Sequence, residues 1–181
     1  MKCQTIHADE PLATSAISRN MYDYNKYTFK LIDDDEGFIK AKKLFLEYAD
    51  TLQIDLCFQN FENELKEINI QYSKPLGGLF LIIDNDTGES VGCVGIRKFK
   101  NKIAELKRMY IKNSYRNKGL GKELLNKAIK LAKDLRYEKI YLDTLESMKT
   151  AIALYKLNGF REIEAYRYNP HRNVKYFELK L

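Results

Sequence analysis

The stretch AELKRMYIKNSYRNKGLGKELLNKAI, residues 104–129, runs from an alternating segment through a basic, glycine-containing loop into an amphipathic one. On its strand side, Ile103, Glu105, Lys107, Met109 and Ile111 face one way and Ala104, Leu106, Arg108 and Tyr110 the other, the two-residue period of a β-strand. On its helix side, Leu120, Leu124, Ala128, Leu131 and Leu135 recur at helical spacing, with Lys122, Lys127, Lys130 and Lys133 on the outer face. Between them stands Arg-x-x-Gly-x-Gly, formed by Arg116, Gly119 and Gly121. Glycines let consecutive N–H groups approach an anion, and the helix start behind them adds partial positive charge, so the loop reads as a phosphate cradle. It is not a P-loop, because Gly121-Lys122 is followed by Glu123 and lacks the upstream glycine. Nor is it a dinucleotide fingerprint, because the third glycine position is Leu124.

Working outward, YTFKLID (27–33) predicts a strand, and DDDEGFIKAKKLFLEYADTL a helix whose Phe38, Ala41, Phe45, Tyr48 and Leu52 share a face. A second helix is predicted across FENELKEINIQY. Two apolar runs joined by Asn85-Asp86-Thr87-Gly88 give a hairpin signal. Beyond residue 135 follow a strand at KIYLDTL, a helix at MKTAIALYKL ended by Asn158-Gly159, and two strands, REIEAYR and VKYFELKL, around a loop from Tyr168 to Asn173. The order β-α-α-β-β-β-α-β-α-β-β describes a single mixed α/β domain over 27–181. Residues 1–26 have no sustained periodicity and read as a poorly ordered extension.

Two motifs carry a resemblance to a known family. The loop segment resembles the acetyl-coenzyme A binding segment of the GNAT N-acetyltransferases, and AIALYKLNGF (151–160) is similar to that family's later segment, Ala-x-x-Leu-Tyr-x-x-x-Gly-Phe. One departure is Met148, where many members carry asparagine. The resemblance implies a mostly antiparallel twisted sheet of about seven strands, splayed between the fourth and fifth, with about four flanking helices and acetyl-CoA in the gap. It implies a pyrophosphate on Arg116, Asn117, Lys118, Gly119, Leu120, Gly121 and Lys122, a pantetheine arm beside Met109, Tyr110 and Ile111, and the Ile111 N–H as donor to a developing oxyanion.

Acetyl transfer to nitrogen asks for more. An amine of pKa near 10 costs roughly 4 kcal/mol to deprotonate at neutral pH, and a departing thiolate benefits from a proton donor. Glu105 resembles the family's strand glutamate that acts directly or through water; as a plain strand residue it would be a surface carboxylate paired with Lys102 or Lys107. Tyr155 matches the motif tyrosine whose hydroxyl lies near sulfur; otherwise it is one of 13 tyrosines, packed in the core. Acceptor contacts are expected from Tyr48, Phe58, Gln59, Tyr166 and Tyr168, in the segments from which the family builds its acceptor sites. The implied reaction is direct attack by a primary amine of a small molecule or protein in a ternary complex, without a metal. The alternative is a noncatalytic CoA-binding regulatory module.

Composition bounds the remaining classes. With 181 residues, 45% hydrophobic and 31% charged, and no apolar run of bilayer length, the chain reads as a globular protein without a membrane span. The N-terminus has no apolar signal-peptide core, which predicts a cytoplasmic protein. Cys3, Cys57 and Cys93 are widely spaced and support neither disulfides nor a zinc site. The net charge is +6, and residues 97–139 hold fifteen Lys or Arg against four acids. Without interleaved aromatics this favours a phosphorylated cofactor over nucleic acid. Whether the chain forms a homodimer is not legible.

Overall fold

A computed structural model describes residues 26–52, 60–171 and 173–181. The expectations for residues 1–25, Phe58 and Gln59 lie outside that set. Seven strands form one sheet in the order β1-β2-β3-β4-β5-β7-β6, from Tyr27–Ile32 (β1), Gly78–Asp84 (β2), Ser90–Lys100 (β3), Ile103–Ile111 (β4), Lys139–Leu145 (β5), Arg161–Ile163 (β6) and Val174–Lys180 (β7). Every pairing is antiparallel except β4 with β5. The helices are α1 (Asp35–Leu52), α2 (Phe61–Lys66), α3 (Ile68–Gln71), α4 (Leu120–Asp134) and α5 (Lys149–Leu157).

Local sequence explains these elements. Asp34 begins α1 by accepting the Gly37 N–H at 2.6 Å, with Asp35 and Glu36 in the first turn, where carboxylates oppose the helix dipole. The segment predicted as one helix, FENELKEINIQY, is two: it breaks at Glu67, whose φ of −103° and ψ of 19° leave the helical region. Hence five helices are described instead of about four. The β2–β3 hairpin turns at Asn85–Gly88 as its sequence predicts, with Gly88 at φ 71°.

The helices cover both faces of the sheet. On one, Leu120, Leu124, Leu125 and Ala128 of α4 pack on Ile82, Val94, Leu106, Ile140 and Leu142. Each fully buried leucine there contributes about 1.5–3 kcal/mol. On the other, Phe38, Ala41 and Phe45 of α1 and Ile68 of α3 pack on Leu79, Leu81, Cys93 and Tyr110. β4 is the seam of both layers, and its irregularities set up the site.

Candidate active site

β4 and β5 pair only where Ile103–Glu105 lies beside Lys139–Tyr141. Beyond Glu105 they part, so the remaining edge of β4 looks into a fork. Here too β4 departs from plain alternation. Arg108 has φ 55°, and between the pairs Gly95↔Lys107 and Cys93↔Tyr110 the strand carries an extra residue, a β-bulge. That residue inverts the faces beyond it. Glu105, opposite Arg97, and Tyr110, opposite Cys93, face α1, whereas Ile111, opposite Gly92, faces α4. The expectation that Glu105 and Ile111 share a face is therefore corrected. Because the Lys112 N–H donates to the Val91 carbonyl at 2.9 Å, ladder alternation turns the Ile111 N–H away from β3 and toward the fork.

The glycine loop stands at the end of that edge. A 3-10 turn, Asn113–Tyr115, leads into it, and the Arg116 Nε–H donates to the Ile111 carbonyl at 3.0 Å, tying loop to strand. Asn117 and Gly119 hold φ of 61° and 74°, and Gly119 is the N-cap of α4. The left-handed Gly119 exposes the first-turn amides: the N–H groups of Lys118, Gly119, Leu120 and Gly121 reach no backbone acceptor among the described residues, as expected for a helix start. A Cβ at Gly121 would come no closer than 3.6 Å to Ile111, Leu154 or Met109. Protein packing leaves room there, and unpaired donors, a helix dipole and that space fit a phosphate anion.

Inside the fork lies a narrow cleft whose cavity volume is about 70 Å³. Tyr155, Lys107, Met109 and Asp143 line its depth, Tyr48 borders it from α1, and Asn169 and His171 from the β6–β7 loop. The Tyr155 hydroxyl sits 3.9 Å from the Met109 sulfur, and burial pushes its pKa well above 10. Its hydroxyl therefore stays protonated at neutral pH. Met148 caps α5 and borders the same cleft, its sulfur accepting the Thr144 hydroxyl at 3.4 Å.

Behind the cleft lies a buried network of charge. Glu105 is 1% exposed. It accepts from Arg97 at 2.9 and 3.1 Å and from the Tyr166 hydroxyl at 2.9 Å, and it pairs with the Arg167 guanidinium at 3.0 Å. Arg167 also donates to Asp143 at 2.6 Å, so one guanidinium bridges β4 and β5 where they diverge. Lys107 lies 3.6 Å from Asp143, and Glu64 of α2 pairs with Arg108 at 2.7 Å and Arg97 at 3.9 Å. Burial opposes ionisation of all three carboxyls, yet the surrounding cations prevail: Arg108 and its neighbours hold Glu64 at about 2, Lys107 and Arg167 hold Asp143 at about 2, and Lys107, Arg97 and Arg167 keep Glu105 below its ordinary value. For Lys107, burial lowers the pKa, Glu105 and Asp143 oppose that, Arg108 and Arg167 reinforce it, and the result is about 8.

Met109, Tyr155 and Tyr48 thus meet at one cleft, with Ile111 and the 116–122 loop at the end of the same strand edge. Glu105 lines a neighbouring groove with Arg97 and Arg167. Tyr166 packs among Phe99, Tyr141 and Tyr176 and reaches Glu105 instead of the cleft, while Tyr168 is 83% exposed. Arg97, Lys107 and Arg108 are largely buried, as side-chain exposures of 18%, 4% and 3% show. The missed partners are Glu64, Asp143 and Arg167. Charges repeated on one strand face at Glu105 and Lys107 signal such a network; nothing local marks Arg167, which lies in a loop.

A forked α/β sheet with a helix-start anion cradle beside the fork makes a site for a small molecule that carries an anionic group. A sequence profile of the acetyltransferase (GNAT) family matches residues 43–160, and the chain belongs to that family. It is 35% identical over 153 residues to an uncharacterized N-acetyltransferase of Schizosaccharomyces pombe, a match covering 84% of this chain and 91% of that one. A GNAT-family acetyltransferase structure from Staphylococcus aureus superposes with a TM-score of 0.69 at 26% identity, over 84% of this chain and 99% of the other. A Bacillus anthracis structure solved in complex with acetyl coenzyme A shares the fold, with a TM-score of 0.52 at 21% identity over 60% of this chain and 65% of its own. The chain is an acetyltransferase with the single-domain forked fold of its family.

Proposed function

We propose that this enzyme transfers an acetyl group from acetyl-CoA to a primary amine by direct attack in a ternary complex. The observation that carries the reading is the set of unpaired amides from Lys118 to Gly121, set beside a strand edge whose Ile111 N–H turns into the fork. The residues present fit the cosubstrate: Arg116, Asn117, Gly119, Leu120 and Gly121 would hold its pyrophosphate through the loop, Lys118 and Lys122 would offset its phosphate charge, and Met109, Tyr110 and Ile111 would run beside its arm. When bound, acetyl-CoA supplies the thioester carbonyl that the amine attacks and the thiolate that leaves.

The chain's own groups then divide the work. The Ile111 N–H donates to the carbonyl oxygen as negative charge grows there. Tyr155, protonated in its buried setting, holds the proton that the departing sulfur takes. Glu105 is an ionised carboxylate already engaged by Arg97, Arg167 and Tyr166. Even an ordinary carboxylate lies about six pKa units below an amine, a gap of about 8 kcal/mol, so Glu105 does not deprotonate a free ammonium; in this reading it draws the proton through water from the nitrogen after attack, when that nitrogen is far more acidic, and fixes Arg167 and Tyr166. Tyr48 borders the acceptor end of the cleft. Phe58, Gln59 and Tyr168 remain in this reading as acceptor contacts from the adjoining segments. A thermal-shift titration with CoA tests the cosubstrate: the melting temperature should rise with ligand concentration, and an unchanged value at saturation would remove the basis for the assignment.

A further inference from the structure

β6 and β7 are neighbouring antiparallel strands, a pair that a tight turn could join. Instead β6 ends at Ile163 and β7 begins at Val174, at the far end of the order β4-β5-β7-β6. The connection uses that length to reach back past β7 and β5 to the fork. There Arg167 pairs with Glu105 of β4 at 3.0 Å and donates to Asp143 of β5 at 2.6 Å, while the Tyr166 hydroxyl donates to the same Glu105 oxygen, Oε1, at 2.9 Å. The β4–β5 ladder ends at Glu105 and Tyr141. A side chain from a distant connection therefore spans the gap that backbone hydrogen bonds leave open.

Further contacts support the same anchorage. The Tyr166 ring packs against Phe99, Tyr141 and Tyr176 at centroid distances of 5.1, 4.9 and 5.4 Å, and the Tyr176 hydroxyl donates to the Arg167 carbonyl at 3.5 Å. Two residues of the cleft wall follow in the chain. Asn169 and His171 both line the cleft, and the Asn169 side chain accepts the His171 N–H at 3.0 Å, tying the two into one turn. Two residues of chain reach at most roughly 7 Å, so a clamp at Arg167 limits where Asn169, and with it His171, can stand. The cleft they border, about 70 Å³, holds only a few water-sized groups. A small displacement of this wall would change what fits.

We propose that Arg167 is the positioning residue of the acceptor site: seated on Glu105 and Asp143, with Tyr166 beside it, it clamps the β6–β7 connection across the fork so that Asn169 and His171 stand ready as the wall that meets the acceptor amine. The proposal rests on the acetyl-transfer reading and deepens it. The carboxylate that draws the proton in that reading is also the seat of the clamp. A wall held in place before binding spares the acceptor the cost of ordering it. The clamp calls for arginine: Nη1 faces Glu105 and Nη2 faces Asp143, a planar two-sided contact that the point charge of a lysine reproduces only in part.

The test uses the full chain with acetyl-CoA and, as acceptor, whichever amine gives the fastest thiol release in a panel of amino acids, polyamines, arylalkylamines and a lysine peptide. Arg167→Ala should raise the KM for that amine about tenfold, the cost of ordering two side chains on binding, with a smaller change in kcat and none in CoA affinity measured by calorimetry. Millimolar guanidinium should restore the KM of Arg167→Ala and leave the wild type as it is, and Arg167→Lys should fall between the two proteins. Stabilisation by CoA reports whether each variant is folded; should Arg167→Ala not fold, Tyr166→Phe, which lacks only the hydroxyl on Glu105, should raise the same KM by a smaller factor. An unchanged amine KM in the folded variants, a CoA affinity that falls in step with it, or no rescue by guanidinium would overturn the proposal and leave acetyl transfer standing. Absence of amine-dependent thiol release across the whole panel would instead remove the acetyl-transfer reading, and this one with it.

Discussion

Glu64 on α2 and Arg108 at the β4 bulge form a bidentate pair, Nη2 to Oε2 at 2.7 Å and Nε to Oε1 at 3.1 Å, with side chains only 1% and 3% exposed. The pair joins a helix of the α1 layer to the one residue of β4 whose backbone leaves the strand conformation. Arg108 at φ 55° is costly for a residue with a Cβ, and Glu64 is the group that holds its side chain. Removing one partner of a buried pair strands the other charge, so Glu64→Ala should lower the unfolding free energy by about 3–5 kcal/mol in a urea titration. A change within 1 kcal/mol would show that the pair does not hold the bulge.

Acid should attack the same network. Glu64 and Asp143 titrate at about 2 when folded, below their ordinary values. A depressed carboxylate pKa stabilises the fold above the unfolded-state value and ceases to do so as pH falls through the folded one. Melting temperature should therefore decline between about pH 4.5 and pH 2, and Asp143→Asn should flatten that decline. A flat profile over this window would contradict the ion-pair geometry.

Gly119 separates cradle from scaffold. Its φ of 74° makes Gly119→Ala cost roughly 1–2 kcal/mol in backbone strain, and the displaced amides should weaken CoA binding by about tenfold or more, measured by calorimetry. A variant that binds CoA as tightly as the wild type would place the phosphates elsewhere.

Tyr155→Phe should act on turnover alone. The hydroxyl's one described contact, to sulfur at 3.9 Å, is weak, so its loss should barely change stability or CoA affinity. Loss of a general acid should lower kcat about 100-fold. Equal turnover by the two proteins would return Tyr155 to the role of a core aromatic beside Phe160 and Phe177.

Much of this architecture is legible in the chain because it depends on local periodicity. Leu120, Leu124 and Ala128 announce α4, Asn85 to Gly88 announce a hairpin, and the Gly119 position is marked by the only residue type that takes its backbone angle cheaply. The bulge is not legible, since Arg108 is an ordinary residue in an ordinary alternating run and the group that holds its side chain, Glu64, lies 44 residues away. The same holds for Glu105. Its register on β4 follows from alternation, but its surroundings come from Arg97 across the hairpin and from Tyr166 and Arg167 in a distant loop, and those contacts turn an expected surface carboxylate into the centre of a buried network.

The central claim is met most directly by measuring CoA thiol release from acetyl-CoA by the purified chain across classes of amine, with the product identified by mass spectrometry. Release that depends on the amine, accompanied by a product acetylated on nitrogen, is the predicted result. Binding of CoA without amine-dependent release for any class would contradict the catalytic account and leave a cofactor-binding module in its place.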